Sequence, residues 1–294
     1  PTAMTDGIHT LLLERLRCAD RDVRQFMSQV LGRIGPAAAT VDILGCLVEF
    51  LRDNTDREMQ QAAVVAIGAI GPRAARPDIL DLLALLLTGR RLSLRLAAAE
   101  TIGRLGPTAA EVEEGAQRDI LGHLEDLFRG RNKNLQQVVA KTAGELGPVA
   151  ARPRLVARLV ARLKSRDKNV YQALAWAAGR LGPEMTRPEI IAQLTERLME
   201  PTAAEDASVL QSTMDALGRI GAPAITPAVL GRLADLLRAP DHAIRQTAAE
   251  TLGRIMSHGL RFMPEPGGSW QIRSVDQLSQ LQTNHEPAAE DWSV

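Results

Sequence analysis

The chain has 294 residues, with 35 basic and 35 acidic side chains balancing to a formal net charge of zero, and only 3% aromatics. Zero net charge gives no long-range pull toward nucleic acid or an anionic membrane, and no apolar run is long enough to span a bilayer. Two cysteines, Cys18 and Cys46, are too few for a disulfide framework or a cysteine-built metal site.

Both cysteines fall where first-helix side chains should pack, so buried free thiols are expected. Arginine outnumbers lysine 31 to 4, which fits either a GC-rich coding genome or a surface that favours rigid bidentate donors. The start at Pro1, with Met4 close behind, is expected of a segment cut from a longer chain or of residues added ahead of a start. No signal peptide is evident, and a cytoplasmic protein is expected.

In chain order the apolar periodicity predicts pairs of helices, an A helix followed by a B helix. The first pair is Ile8–Arg17 and Asp22–Ile34. Val41–Arg52 with Arg57–Ile70 and Pro77–Leu87 with Leu92–Leu105 follow. A polar insert around 108–118, with Glu111, Glu113, Glu114 and Gly115, precedes Ile120–Phe128 and suggests a loop on one edge, either partner-specific or simply tolerated. The later pairs are Arg154–Leu163 with Asn169–Leu181, Pro188–Met199 with Ala207–Ile220 across a loop at 200–205, and Pro227–Leu237 with Asp241–Ile255.

Prolines 77, 153, 188 and 227 suit helix starts, where the missing N–H costs nothing. Asp20, Asn54–Thr55, Asp167 and Asp241 are expected caps of B helices. Most B helices run into Gly-Pro, which predicts a left-handed exit at glycine and a stop at proline.

The B helices share one register. Marker glycines recur at 32, 68, 103, 144, 179, 218 and 253, spaced 36, 35, 41, 35, 39 and 35 residues apart. Positions −9, −5, −2, −1 and +2 from each glycine are mostly Val, Leu, Ile, Ala, Thr and Met, forming one stripe that must be buried. Small side chains there and the glycine itself predict close approach of helix axes. A bulkier residue at Gly103 or Gly144 should cost roughly 1–3 kcal/mol. The glycines have no phosphate-loop context, since neither a strand nor Gly-Lys-Ser/Thr accompanies them.

This period, with the segments VRQFMSQVLGRIG (23–35), LRLAAAETIGRLGP (94–107) and IRQTAAETLGRI (244–255), resembles the HEAT-repeat family. The closest likeness is to its short bacterial and archaeal form, also seen in the HEAT-like repeats of phycobilisome lyases. The resemblance covers roughly residues 8–258. It implies an all-α fold, a right-handed α-α superhelix of about seven helical hairpins over 1–258, with the B helices lining a concave surface. Residues 259–294 are not a repeat. With Phe262 and Trp270 as anchors they are expected to cap the last hairpin, to form a linker, or to serve as a binding peptide.

Positions −7, −3 and +1 should line the exposed side of each B helix. They read Gln25–Gln29–Arg33, Gln61–Val65–Ala69, Leu96–Glu100–Arg104, Gln137–Lys141–Glu145, Gln172–Trp176–Arg180, Gln211–Asp215–Arg219 and Gln246–Glu250–Arg254. On the inner surface that the family implies, such tiling suits a bound peptide or a partner's helix; otherwise it is a solvated face of self-satisfied pairs.

Tyr171 and Trp176 are either interface anchors or core rings, and apolar Val65 and Ala69 predict a shallow dip in repeat two. The expected function is a noncatalytic scaffold or sensor that binds a protein, or an adjacent domain, through Arg33, Gln61, Arg104, Gln137, Tyr171, Gln172, Trp176, Arg180, Gln211, Arg219, Gln246 and Arg254. No cofactor is expected.

A second reading uses the turns between A and B helices. Arg90, Arg91, Arg129, Arg131, Lys133, Lys164, Arg166 and Lys168 would align as a basic ridge for phosphates or an acidic partner. Scarce aromatics weigh against single-strand binding. Enzyme readings are remote. The five histidines form no His-Glu array of the kind found in HEAT-like iron hydroxylases. A lyase-like role rests on fold resemblance alone, and a glycosylase-like role has only Tyr171, Trp176 and Asp215 to draw on.

Overall fold

A computed structural model of the chain describes residues 6–18, 20–111, 119–200, 207–257, 260–264 and 270–274. The chain divides into two units, residues 1–185 and 186–294. The first contains five helical hairpins: α1 (Asp6–Leu16) with α2 (Arg21–Ile34), α3 (Val41–Arg52) with α4 (Arg57–Ile70), α5 (Pro77–Thr88) with α6 (Leu92–Leu105), α7 (Ile120–Arg129) with α8 (Lys133–Leu146), and α9 (Pro153–Arg162) with α10 (Lys168–Ala178). The second contains α11 (Pro188–Met199) with α12 (Ala207–Ile220), then α13 (Pro227–Leu236) with α14 (His242–Ser257). The even-numbered helices are the B helices.

Sequence chemistry accounts for the helix ends. Asp20, Asp56, Asn132 and Asp167 each accept hydrogen bonds from backbone N–H groups in the first turn of α2, α4, α8 and α10, which satisfies donors the helix itself leaves open. The cap of α4 is therefore Asp56, not Asn54–Thr55. Thr55 instead folds onto Asp53, its N–H donating at 2.8 Å.

The helix exits also differ from expectation. Gly71 leaves α4 at φ 81°, ψ −155°, and Gly221 leaves α12 at φ 75°, ψ −136°. That is the extended positive-φ region open essentially to glycine alone, not the left-handed helical region. A following proline disfavours helical ψ in the residue before it. Gly221, followed by Ala222, adopts the same shape, so the turn itself also requires it. Helix α10 stops at Ala178 instead of Leu181; just past it the Arg180 N–H donates to the Ala177 carbonyl three residues back, a tighter turn than the α-helical one.

The core is the expected stripe. In the inner repeats Leu94, Ala98, Thr101, Ile102 and Leu105 of α6, and their counterparts Leu135, Val139, Thr142, Ala143 and Leu146 of α8, are all buried. In α2, at the end of the stack, Val23, Met27 and Val30 are only half-buried.

Within the first unit each B helix packs along its length against the next B helix, while successive A helices touch at few positions. The B layer is thus the tighter side of that stack, as the family resemblance implies. Marker glycines make this approach possible: a Cβ on Gly68 would lie 3.2 Å from Thr101 Cα, and one on Gly103 would lie 3.3 Å from Thr142 Cα. Two threonines then bond the layers directly. Thr101 Oγ1 donates to the Val64 carbonyl at 2.9 Å and Thr142 Oγ1 to the Ala99 carbonyl at 2.8 Å.

A column the sequence reading passed over lies eight residues before each marker glycine. Arg24 donates to the Cys18 carbonyl, Gln60 to Leu51, Gln136 to Gly130, and Arg245 to Ala239 and Pro240. These side chains reach back from the B helix and tie down the end of the A helix and its turn. Tyr171 occupies this column and is 1% exposed. It is a core residue, and its expected place among binding residues is corrected accordingly.

Cys46 is buried as expected, but Cys18 is only half-buried, at the turn after α1, with Sγ 3.3 Å from the Asp20 carbonyl. After α14 the backbone forms a two-stranded antiparallel hairpin, β1 (Leu260–Pro264) and β2 (Trp270–Ser274), with Phe262 opposite Ile272. The expected anchoring by Phe262 and Trp270 concerns side chains outside the described residues, as do most of the 108–118 insert and the loop at 201–206.

Candidate protein-binding face

Each unit presents its own B-helix face. In the first unit the −7, −3 and +1 columns are exposed or half-exposed in all five repeats. Between α2 and α4 this face opens into a groove of about 520 Å³. Gly32, Ala62, Val65, Ala66 and Ala69 form its apolar lining, and Gln25, Gln29, Arg33, Glu58 and Gln61 supply polar groups around it.

The groove exists because repeat two has no large or charged side chain at −3 or +1. Val65 remains 47% exposed there. Among the described residues no hydrogen bond from the side chains of Gln25, Gln29 or Gln61 is seen, so three amides face solvent beside an apolar surface. The predicted dip at Val65 and Ala69 is therefore present. Glu58 and Ala62 lie outside the three columns and were not anticipated. A reading that included the neighbouring −10 and −6 positions would have found them.

Farther along the same face the columns are crowded. The Trp176 ring lies against Gly144, whose absent side chain leaves room for it. The Arg180 guanidinium stacks over that ring, 4.3 Å from its centroid, a cation–π contact. Trp176 is half-buried and Arg180 exposed, so the pair forms a partly open plate.

Glu145 lies over Gly103. Partial burial pushes its carboxyl above the ordinary range, against the downward pull of Arg104 and Lys141. Gln137 and Gln172 are half-exposed, and Arg104 is exposed. This stretch combines an aromatic plate, a carboxylate and several cations.

In the second unit the corresponding columns are engaged with one another. Asp215 accepts from Arg219 Nε at 2.9 Å and from Arg254 Nη1, while Glu250 accepts from Gln246 Nε2 at 2.9 Å. Burial raises the Asp215 carboxyl, but the two arginines outweigh it and hold it below the usual range. Gln211 is half-exposed beside this network. Here the self-satisfied reading fits: Arg219, Gln246 and Arg254 already have partners.

The side chains expected to form a basic ridge are exposed in the turns of the first unit, except Arg91, which is half-buried. An acid, Asp167, interrupts the row. Lys133 Nζ pairs with Asp167 Oδ2 at 2.9 Å, and that contact lowers the Asp167 carboxyl. Among the described residues no cluster of His, Cys, Asp and Glu is placed to hold a metal ion, and no described helix is long and apolar enough to cross a membrane.

Comparison with known proteins agrees with this architecture. The family model described as HEAT repeats matches residues 10–103. An engineered protein of known crystal structure superposes with a TM-score of 0.57 at 24% identity, over 87% of this chain and 70% of its own. A designed armadillo repeat protein aligns over 83% of this chain and 98% of its own, at 16% identity and a TM-score of 0.41. No curated protein matches the chain. The likeness at 0.57 shows a shared α-solenoid fold.

Proposed function

We propose that this chain, HEAT repeats over residues 10–103 and helical hairpins of the same build beyond them, is a noncatalytic binding module that holds a segment of another protein on the B-helix face of its first unit. One observation carries the reading: the groove between α2 and α4, apolar along its lining, with unengaged glutamine amides and Arg33 around it. An apolar floor with a few convergent polar groups suits a peptide backbone and one or two apolar side chains. The Trp176–Arg180 plate on the same face offers a second anchor of the type enriched at interface hot spots.

Unit-two residues Gln211, Arg219, Gln246 and Arg254 contribute less to this reading, since three of them are occupied internally. Tyr171 is withdrawn from it. Affinity capture with the intact chain, a Val65→Arg variant and a Trp176→Ala/Arg180→Ala variant tests the proposal. Specific proteins should be retained by the intact chain and lost from both variants. Retention that survives both would remove the B-helix face from the function.

A second reading, nucleic-acid binding through the turn ridge, draws on the exposed Arg129, Arg131, Lys164 and Arg166. The Lys133–Asp167 pair weighs against it.

A further inference from the structure

The opposite, turn-side edge of repeats two and three contains a different cavity, which the B-face reading does not use. It measures about 410 Å³ and lies between the α3–α4 turn and the α5–α6 turn. Leu51, Leu82, Leu85, Leu86 and Leu94 line it. Leu85 is 66% exposed, among the most exposed large apolar side chains described.

Arg52, Arg90 and Arg91 also line this cavity, and no carboxylate does. Among the described residues none of the three arginines forms an ion pair or hydrogen bond through its side chain. An unengaged guanidinium is a planar donor that matches a carboxylate with two parallel hydrogen bonds.

We propose that this leucine-floored, arginine-rimmed pocket is a docking site for a short acidic segment of another protein, one that seats a single large apolar side chain between flanking carboxylates. Charge complementarity and the floor together select that occupant. A phosphate backbone would meet the arginines but would leave exposed Leu85 and half-exposed Leu82 and Leu86 without an apolar partner, and no aromatic ring lines the cavity to stack a base. A neutral apolar peptide would fill the floor and leave three cations facing nothing. The volume accommodates one leucine- or phenylalanine-sized side chain with room at the mouth. Arg90 and Arg91, which open the basic ridge, thus belong to a protein-docking pocket and not to a nucleic-acid track.

A random 16-residue peptide display selected on the full chain tests this. Selection runs in parallel on Leu85→Asp and on Arg90→Glu/Arg91→Glu, each checked for unchanged helicity. Leu85 is largely exposed, and both arginines lie at a turn, so the fold should survive either change. The expected winners carry one Leu, Ile, Met or Phe with two or more acids within four positions. A synthetic winner should bind at least tenfold more weakly to both variants and more weakly as salt rises, while Val65→Arg on the B-helix face leaves its affinity unchanged. No enrichment over an unrelated protein would overturn the assignment, as would winners without acids or winners that bind both variants equally. A generic DNA duplex whose binding is lost in the same two variants would also overturn it. Loss of winner binding in Val65→Arg would place the peptide on the other face.

Discussion

Gly144 and Trp176 form a matched pair across α8 and α10. A Cβ added to Gly144 would lie 2.6 Å from Trp176 Cε3 and 3.0 Å from the Ala177 Cα. Ring and backbone cannot both stay in place. Gly144→Ala should therefore destabilise the first unit by roughly 1–3 kcal/mol through overpacking and shift the tryptophan emission as the ring is displaced. Gly253 is the internal contrast: it lies within α14, and a Cβ there meets nothing within 4 Å. Gly253→Ala should stabilise, by up to about 1 kcal/mol, because alanine is the better helix former. Urea midpoints of the two variants, read side by side, check both signs.

The turn latches predict a local effect. Gln136 Nε2 donates to the Gly130 carbonyl at 2.6 Å from a buried position. Gln136→Ala removes the donor and should cost about 1–2 kcal/mol, since a carbonyl is left without its partner. Amide hydrogen exchange should accelerate around 129–133 and stay unchanged in α4. Uniform acceleration throughout the unit would mean that the latch acts globally.

Two carboxylates respond to pH in opposite senses. Asp215 is held below the usual range by Arg219 and Arg254. Its contribution is present above the unfolded value near pH 3.9 and is lost as pH falls through the lower folded value. Asp215→Asn should therefore destabilise at neutral pH and lose less on acidification than the parent chain. Glu145 is raised by partial burial, so the folded state binds its proton more tightly than the unfolded state does. Its cost is present above the raised value and fades as pH falls toward the unfolded one. Glu145→Gln should be more stable than the parent at neutral pH, with the gap closing in acid. Denaturation midpoints from about pH 2 to 7.5 would reveal either sign.

Salt dependence separates protein binding from the ridge reading. A phosphate-driven contact at Arg129, Arg131, Lys164 and Arg166 would weaken steeply between low and physiological salt. We expect duplex binding by fluorescence anisotropy to be no tighter than that of an unrelated neutral protein even at low salt. Tight low-salt binding that weakens steeply toward physiological salt, and is lost when Arg129 and Arg131 are changed to Glu, would favour nucleic acid as the partner.

The helices were legible because their signals are local: apolar spacing, prolines at helix starts and glycines at exits. The α3, α4 and α6 boundaries coincide with those read from the sequence. Side-chain roles depending on neighbouring hairpins were less legible. Tyr171 looked like an anchor because it is the sole tyrosine, yet its position is defined by the column that includes Gln60 and Gln136, whose amides reach carbonyls at or just past the end of the preceding A helix. Asp215 and Arg254 are 39 residues apart, so their pairing could not be read from within one helix. The hairpin after α14 has alternating residues too few and too mixed to stand out from the proline- and glycine-rich tail.

If the B-helix groove of the first unit holds a protein segment, side-by-side capture by the intact chain and by Val65→Arg will show it. A charged side chain at Val65 should block the groove without disturbing the buried stripe, because Val65 already faces solvent. A defined set of proteins should be held by the intact chain, resist nuclease and fall by about tenfold or more with Val65→Arg, with helicity unchanged. Equal recovery from the two would contradict that placement.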